Sequence, residues 1–233
     1  MILSIAAAVA AAAAVAAAAP PAACPNVATP DALVCRAMEA KKAGNEQGAA
    51  LAFEEAARAT PDKDPKAARL WAAAGNLWIA AGQPGKAAFD LDRALAQGIS
   101  GPERGEVLLD RARAAEAQGD LKTARTRLND ARAMIAEDPF YWYFSAALAI
   151  RENDAATAQS SIGEALKLAP SDPTVLFEAG HVAHFAGDET KARYYWQQAA
   201  SADPNGQSGK AAREALGVLA APATVTKPAQ PPK

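Results

Sequence analysis

The sequence predicts an all-α protein, an α-solenoid of about five helix–turn–helix pairs closed by a C-terminal helix. Three observations predict it. Of 233 residues 66 are alanine, and 51% are hydrophobic although only 6% are aromatic. Alanine is the best helix former and a poor strand residue, which argues against a β-sandwich. Glycine and proline, 15 and 16 residues, are too few for a collagen or a fully disordered chain. The third observation is a pattern that returns five times along the chain, set out below. The formal charge is −2, from 24 basic and 26 acidic side chains, without the basic excess of a nucleic-acid binder.

The chain opens with MILSIAAAVAAAAAVAAAA, an uncharged run. Residues 1–23 are read as an export signal. The run is mostly alanine, which is barely apolar enough to hold a helix in hydrocarbon, and Ala17, Ala19, Ala22 and Ala23 are small enough to suit cleavage. No Lys or Arg precedes it, and an uncleaved anchor is the alternative. Residues 24–29 form a short leader. The two cysteines, Cys24 and Cys35, admit three readings: a disulfide in an oxidising compartment, two free thiols, or a lipid on Cys24. The last rests on a weak resemblance of Pro21-Ala22-Ala23-Cys24 to the lipid-attachment box of bacterial lipoproteins.

The repeat is a turn residue, an alanine five places on, a large apolar residue four beyond, and another alanine three beyond. It occurs at Gly44, Ala49, Phe53, Ala56 and at Gly82, Ala87, Leu91, Ala94. It recurs at Gly119, Ala124, Leu128, Ala131, at Asn153, Ala158, Ile162, Ala165, and at Gly187, Ala192, Trp196, Ala199. Successive turns lie 38, 37, 34 and 34 residues apart. Upstream of each turn runs a second helical pattern, such as Trp71-x-x-Ala74-Gly75-x-x-Trp78, Trp142-x-x-Ser145-Ala146-x-x-Ala149 and Leu176-x-x-Ala179-Gly180-x-x-Ala183. Pro61, Pro170 and Pro204 close three copies. The copies span 30–63, 68–101, 105–138, 139–172 and 173–206, and the longer early spacings predict extra residues in the connections around Asp62–Lys66 and Ile99–Arg104.

Each copy reads as two amphipathic helices. Gly75, Ala112, Ala146 and Gly180 have almost no side chain, so the paired helices can approach closely there. The turn glycines allow positive φ, and asparagine, as at Asn153, tolerates it best among other residues. Trp71 and Trp142 are expected in the core, each burying about 150–250 Å². A pair cannot hide its apolar face alone, so pairs stack. Residues 206–219 form a capping helix with Leu216 and Leu219 inward and Lys210, Arg213 and Glu214 toward water. The Pro/Ala-rich segment 220–233 has too little apolar area to order itself.

These residues resemble the tetratricopeptide repeat (TPR) family, whose pattern is W-x₂-L-G-x₂-Y, then A-x₃-F, then P, at a period of 34. The resemblance covers residues 30–204, most closely in the second, fourth and fifth copies. It implies that the first helix of each pair lines a concave groove that receives a peptide or partner helix. Carried over copy by copy, that groove holds Met38 and Lys42; Arg69, Ala72, Asn76 and Ile79; Leu109, Arg113 and Glu116; Tyr143, Ala147 and Arg151; and Phe177, His181 and His184. The candidate partner-binding residues are Arg69, Asn76, Arg113, Tyr143, Arg151, Phe177, His181 and His184, with the arginines as donors to acidic groups and Tyr143 and Phe177 as an apolar anchor. Ala72, Tyr143 and Ala147 replace groups that the carboxylate clamp of some family members needs, so carboxylate capture is not expected.

No catalytic constellation emerges: G-x-S-x-G, a phosphate-binding glycine loop and H-E-x-x-H are all missing. No catalytic residue, cofactor or metal is expected. Glu178, His181 and His184 form the one site-like set, read as a polar patch on the inner wall, with a zinc or nickel site as the alternative. The expected function is an exported, non-enzymatic scaffold for protein–protein interaction, in the periplasm of a Gram-negative bacterium, with a cell-envelope protein or peptide as partner. Membrane association is expected only with a lipid on Cys24 or an uncleaved leader. That state would make the chain a tethered envelope assembly factor similar to outer-membrane TPR lipoproteins.

Overall fold

The computed structural model describes residues 24–61 and 63–220, so the export signal and the tail beyond residue 220 lie outside the described residues. The described chain is a run of eleven helices: α1(Pro30–Lys42), α2(Glu46–Ala59), α3(Pro65–Ala80), α4(Pro84–Ala96), α5(Gly101–Ala117), α6(Leu121–Ile135), α7(Pro139–Arg151), α8(Ala155–Leu168), α9(Pro173–Phe185), α10(Glu189–Ala202) and α11(Gln207–Ala220). Helices α1 to α10 form five pairs, each with a first and a second member, and α11 follows.

Local chemistry starts and stops these helices. Asp64, Asp138 and Asp172 each stand before a proline at the first helical position, where the missing N–H is no loss. Their carboxylates accept the backbone N–H of Lys66, Phe140 and Thr174 at 2.9, 2.9 and 2.8 Å. Asp120, Asp154 and Asp188 cap the second helices α6, α8 and α10 in the same way, each at 3.0 Å. The turn inside each pair is made by one residue in the left-handed region. Gly44, Gly82, Gly119, Asn153 and Gly187 have φ of 71, 68, 80, 59 and 79°.

The alanines of the repeated pattern are buried in all five copies, as are Phe53, Leu91, Leu128, Ile162 and Trp196. Within a pair the helices nearly touch. A Cβ built on Gly75 would lie 2.6 Å from Leu91 Cγ, and one built on Gly180 would lie 2.3 Å from the indole of Trp196. The core runs the length of the stack in four linked clusters. Leu95 packs against the first and second, Trp142 and Tyr143 against the second and third, and Leu166 and Tyr195 against the third and fourth. Ala212 of α11 is buried, and Leu216 and Leu219 pack on the last pair while Lys210, Arg213 and Glu214 face water.

Two expectations are corrected. The extra residues of the early copies lengthen first helices more than connections: α3 and α5 have 16 and 17 residues, whereas α7 and α9 have 13. Trp142 is half-buried, with its Nε1–H donating to Ala136 O at 2.7 Å and Arg132 over its ring. Trp71 and Trp78 are instead fully enclosed.

Cys24 and Cys35 are joined in a disulfide, with Cα atoms 5.7 Å apart. Arg36 also holds the leader to α1, donating to Pro25 O and Val27 O at 2.7 and 3.0 Å. A sulfur in this bond is not available for a lipid thioether, so the lipid reading of Cys24 does not fit the structure. No described helix is long and apolar enough to cross a membrane.

Urea unfolding checks these packing assignments. Trp71→Ala is expected to lose about 3–5 kcal/mol, as large truncations in a sealed core do. Trp142→Ala is expected to lose clearly less. Gly180→Ala is expected to lose about 1–3 kcal/mol, because the added methyl meets the Trp196 indole.

Candidate functional site

The five pairs stack so that first helices form one face. α3 packs on α5 and α7 on α9, while among the described residues no second helix packs closely on another second helix. All eight predicted partner-binding residues lie on first helices. The structure separates them into two sets.

Four of them face carboxylates on the same layer. Arg69 Nε donates to Glu103 at 3.0 and 3.1 Å, and Asn76 Nδ2 to Asp110 at 2.8 Å. Arg113 donates to the other oxygen of Asp110 at 2.7 Å and lies over the Phe140 ring. Arg151 pairs with Glu116. Three of these contacts join adjacent first helices across 34 or 35 residues of sequence, one repeat length. The pairs are partly exposed, and such pairs contribute at most about 1 kcal/mol each. They fix which side chain meets which, and they leave these arginines with neighbours already engaged.

The other four gather toward α7 and α9. An open cavity of about 480 Å³ lies there, lined by Ala147 and Ile150 of α7 and by Glu178, His181, His184 and Phe185 of α9 and its end. Glu178 is buried, and its Oε2 lies 3.3 Å from His181 Nδ1. The Tyr143 phenol has its pKa raised, first by burial and then by the Glu178 carboxylate, which places these two side chains in one field. Phe177 packs against the His181 ring at 4.3 Å between centroids, and Tyr143 stacks on Phe140 at 5.3 Å. The cleft thus combines apolar walls, a buried acceptor and two imidazoles whose Nε2 atoms are free of the contacts made by Nδ1.

The metal alternative is not supported by this geometry. His181 turns to Glu178 and His184 to Glu189, at 2.9 Å from Oε1. Among the described residues no group of three His, Cys, Asp or Glu side chains converges.

Sequence reading missed a second polar site, between α2 and α4 on the opposite face. Asp90 is 1% exposed, and neither of its carboxylate oxygens makes a hydrogen bond of ordinary geometry, although Glu54 and the Trp78 indole are near enough to act on it as hydrogen-bonding groups. Burial pushes its pKa up to about 7, and the neighbouring Glu54 carboxylate contributes to the rise, against smaller opposing effects of Arg58 and Trp78. Glu54 is itself nearly buried, accepts the Trp78 indole N–H at 2.6 Å and pairs with Arg58. The available signal was register: the position just before the large residue of each second helix holds Ala52, Asp90, Arg127, Ser161 and Tyr195. One copy puts an acid where no helix-pair packing requires it.

A pH dependence of stability follows. The folded pKa of Asp90 is raised above the usual aspartate value, so the folded state binds more protons than the unfolded state between about pH 4 and pH 7. Stability from this group is fully present below about pH 4 and is lost as pH rises to about 7. The loss amounts to at most about 4 kcal/mol across that window. Asp90→Asn, which cannot ionise, is expected to flatten that slope in urea titrations at pH 4.5 and pH 8.

No family model matches the sequence, and no curated protein matches it. Solved structures do match. PilW, a widely conserved type IV pilus biogenesis factor, superposes with a TM-score of 0.65 at 17% identity, covering 78% of this chain and 81% of that one. A thermophilic TPR protein of Thermus thermophilus gives 0.65 at 17% identity over 82% of this chain and 99% of that one. YrrB, a TPR protein with an unusual peptide-binding site, gives 0.56 at 17% identity over 80% and 91%. Helix pairs turning on left-handed residues, repeated buried alanines and these superpositions agree: the chain has the tetratricopeptide-repeat fold.

Proposed function

We propose that this protein is an exported, non-enzymatic scaffold that binds a protein or peptide partner on its first-helix face, at the cleft between α7 and α9. The observation that carries this reading is the cleft's composition. Ala147, Ile150 and Phe185 offer an apolar seat, while Glu178, His181 and His184 offer hydrogen-bonding groups beside it. An extended segment supplies both complements at once, an apolar side chain for the seat and backbone or side-chain polar groups for the imidazoles and the carboxylate. Tyr143 and Phe177, one turn N-terminal of Ala147 and His181 on α7 and α9, extend the aromatic surface beside the cleft, in the manner of interface anchors. YrrB, a TPR protein with an unusual peptide-binding site, is in keeping with a peptide partner for this fold.

The arginines that the sequence offers as donors to acidic groups take a supporting role in this reading. Arg69, Arg113 and Arg151 brace neighbouring helices through Glu103, Asp110 and Glu116. Specificity therefore centres on the α7–α9 cleft rather than on a basic stripe. Export is proposed on two observations, the uncharged apolar run at the start of the chain and the Cys24–Cys35 disulfide, which persists in an oxidising compartment. A cell-envelope protein is the partner this location offers.

Two experiments test the proposal. Tyr143→Ala with His181→Ala is expected to reduce partner recovery from envelope extract at least about tenfold, with helicity by circular dichroism unchanged; a change of about 1.4 kcal/mol corresponds to that factor. Equal recovery by the variant and the parent protein would overturn the cleft as the binding site. For export, the full chain expressed in a Gram-negative host is expected in the periplasmic fraction with no thiol open to alkylation. The chain started at Cys24 is expected in the cytoplasm with two reactive thiols. Cytoplasmic retention of the full chain would sink the export reading.

A further inference from the structure

We propose that the cavity between α2 and α4 binds a primary alkylammonium group on an apolar stem, the end of a partner's lysine side chain, with Asp90 and Glu54 as its counter-charges. The cavity is about 350 Å³ and is lined by Leu51, Glu54, Trp78, Gly85, Lys86, Phe89 and Asp90. That volume lies at the small end of the range for small-molecule sites, which suits the end of a side chain better than a whole cofactor.

Four observations converge on the ammonium. Asp90 is enclosed, neither oxygen makes a hydrogen bond of ordinary geometry, and its polar neighbours are another acid, Glu54, and the Trp78 indole, which already donates to Glu54; a buried carboxylate so placed is costly unless a proton or a cation meets it. The repeat does not demand an acid there, since Ala52, Arg127, Ser161 and Tyr195 fill the same register position in the other copies. Glu54 adds a second carboxylate to the same wall and is paired with Arg58, so once Asp90 ionises no salt bridge of its own among the described residues meets the second charge. Finally, the protein places an ammonium of its own at this spot: Lys86 Nζ lies 4.2 Å from the centroid of the Trp78 ring. The rim carries Leu51 and Phe89, both exposed at 44% and 58%, which provide the apolar surface along which a lysine stem lies.

Below about pH 7, binding exchanges a proton for the ligand. There the protonated Asp90 carboxyl releases its proton to solvent as the incoming ammonium arrives, and above that pH the carboxylate is already ionised; in both cases the carboxylate accepts N–H bonds from the ligand. No covalent bond forms or breaks apart from that O–H. The charged groups that face Asp90 are Glu54 and Arg58 from α2 and Lys86 from its own helix, with the Trp78 indole N–H from α3. Lys86 swings away from Trp78 to admit the ligand and is therefore a competitor.

The test uses the full chain labelled with ¹⁵N and follows the Trp78 indole N–H, with the indoles of Trp71, Trp142 and Trp196 as internal controls. The probes are Nα-acetyl-lysine methylamide, n-butylammonium, and the norleucine analogue, which has the stem without the charge. The lysine probe is expected to give a saturable Trp78 shift at pH 8, and the norleucine probe none. Affinity is expected to be about tenfold weaker at pH 6, the ratio of ionised Asp90 at the two pH values. Asp90→Asn is expected to weaken binding at least about tenfold and remove the pH dependence, while Lys86→Gln tightens it. Should Asp90→Asn fail to fold, the pH series and Lys86→Gln carry the test. A lysine probe that binds no better than the norleucine probe, or equally to Asp90→Asn, overturns the site. Binding of n-butylammonium more than about tenfold tighter than the lysine probe overturns the partner's lysine as occupant in favour of a free amine.

Discussion

Everything in this fold hangs on how closely the two helices of each pair approach. At Gly180 the indole of Trp196 occupies the space a side chain would need, and at Gly75 Leu91 does the same. Because contact is made there at backbone range, the alanines on either side, such as Ala179 and Ala192, are sealed without large side chains. A helix pair built this way needs few aromatic residues in its core, which is how a chain with 6% aromatic content and 66 alanines holds a stack of five pairs. The large residue of each second helix is then the wedge that sets the spacing.

That packing gives the molecule two unlike faces. α3 lies against α5 and α7 against α9, and side chains of successive first helices meet at one repeat length: Arg69 with Glu103, Asn76 with Asp110, Glu116 with Arg151. Each of these exposed contacts is worth little on its own. Their effect is positional. They occupy the polar groups of the early and middle copies and leave the α7–α9 cleft as the place where apolar, imidazole and carboxylate groups are presented together. The aromatic chain from Phe177 through His181 to Trp196 ties that cleft to the wedge of the last pair, with ring centroids 4.3 and 5.7 Å apart.

On the other face the second helices stand apart, and the gaps between them are lined by whatever each copy carries one residue before its wedge. Between α8 and α10 the gap of about 320 Å³ contains Tyr195 and the apolar residues Ile162 and Leu166. Between α2 and α4 it contains Asp90 and Glu54. The α8–α10 gap mixes that apolar surface with Gln159, Asp188 and Lys191 at its edge, whereas the α2–α4 gap sets two carboxylates at its wall. The stack tolerates both because that position contributes nothing to the contact at the small residues.

Much of this was legible in the residue order. The helices, the left-handed turns at Gly44, Gly82, Gly119, Asn153 and Gly187, and the buried alanines all follow from interactions within one helix pair, which the local pattern encodes directly. The layer to which Tyr143, Phe177, His181 and His184 belong followed from the repeat register together with the resemblance to the TPR family. The tertiary arrangement decided what lies a repeat or more away. It joined Asp90 to Glu54 across two helices, matched the arginines to carboxylates of the neighbouring pair, turned His181 and His184 toward different acids, and left Trp142 half-covered while enclosing Trp78. Those outcomes depend on the rotation between successive pairs. That rotation is the sum of many contacts along the stack, and no short stretch of sequence contains it.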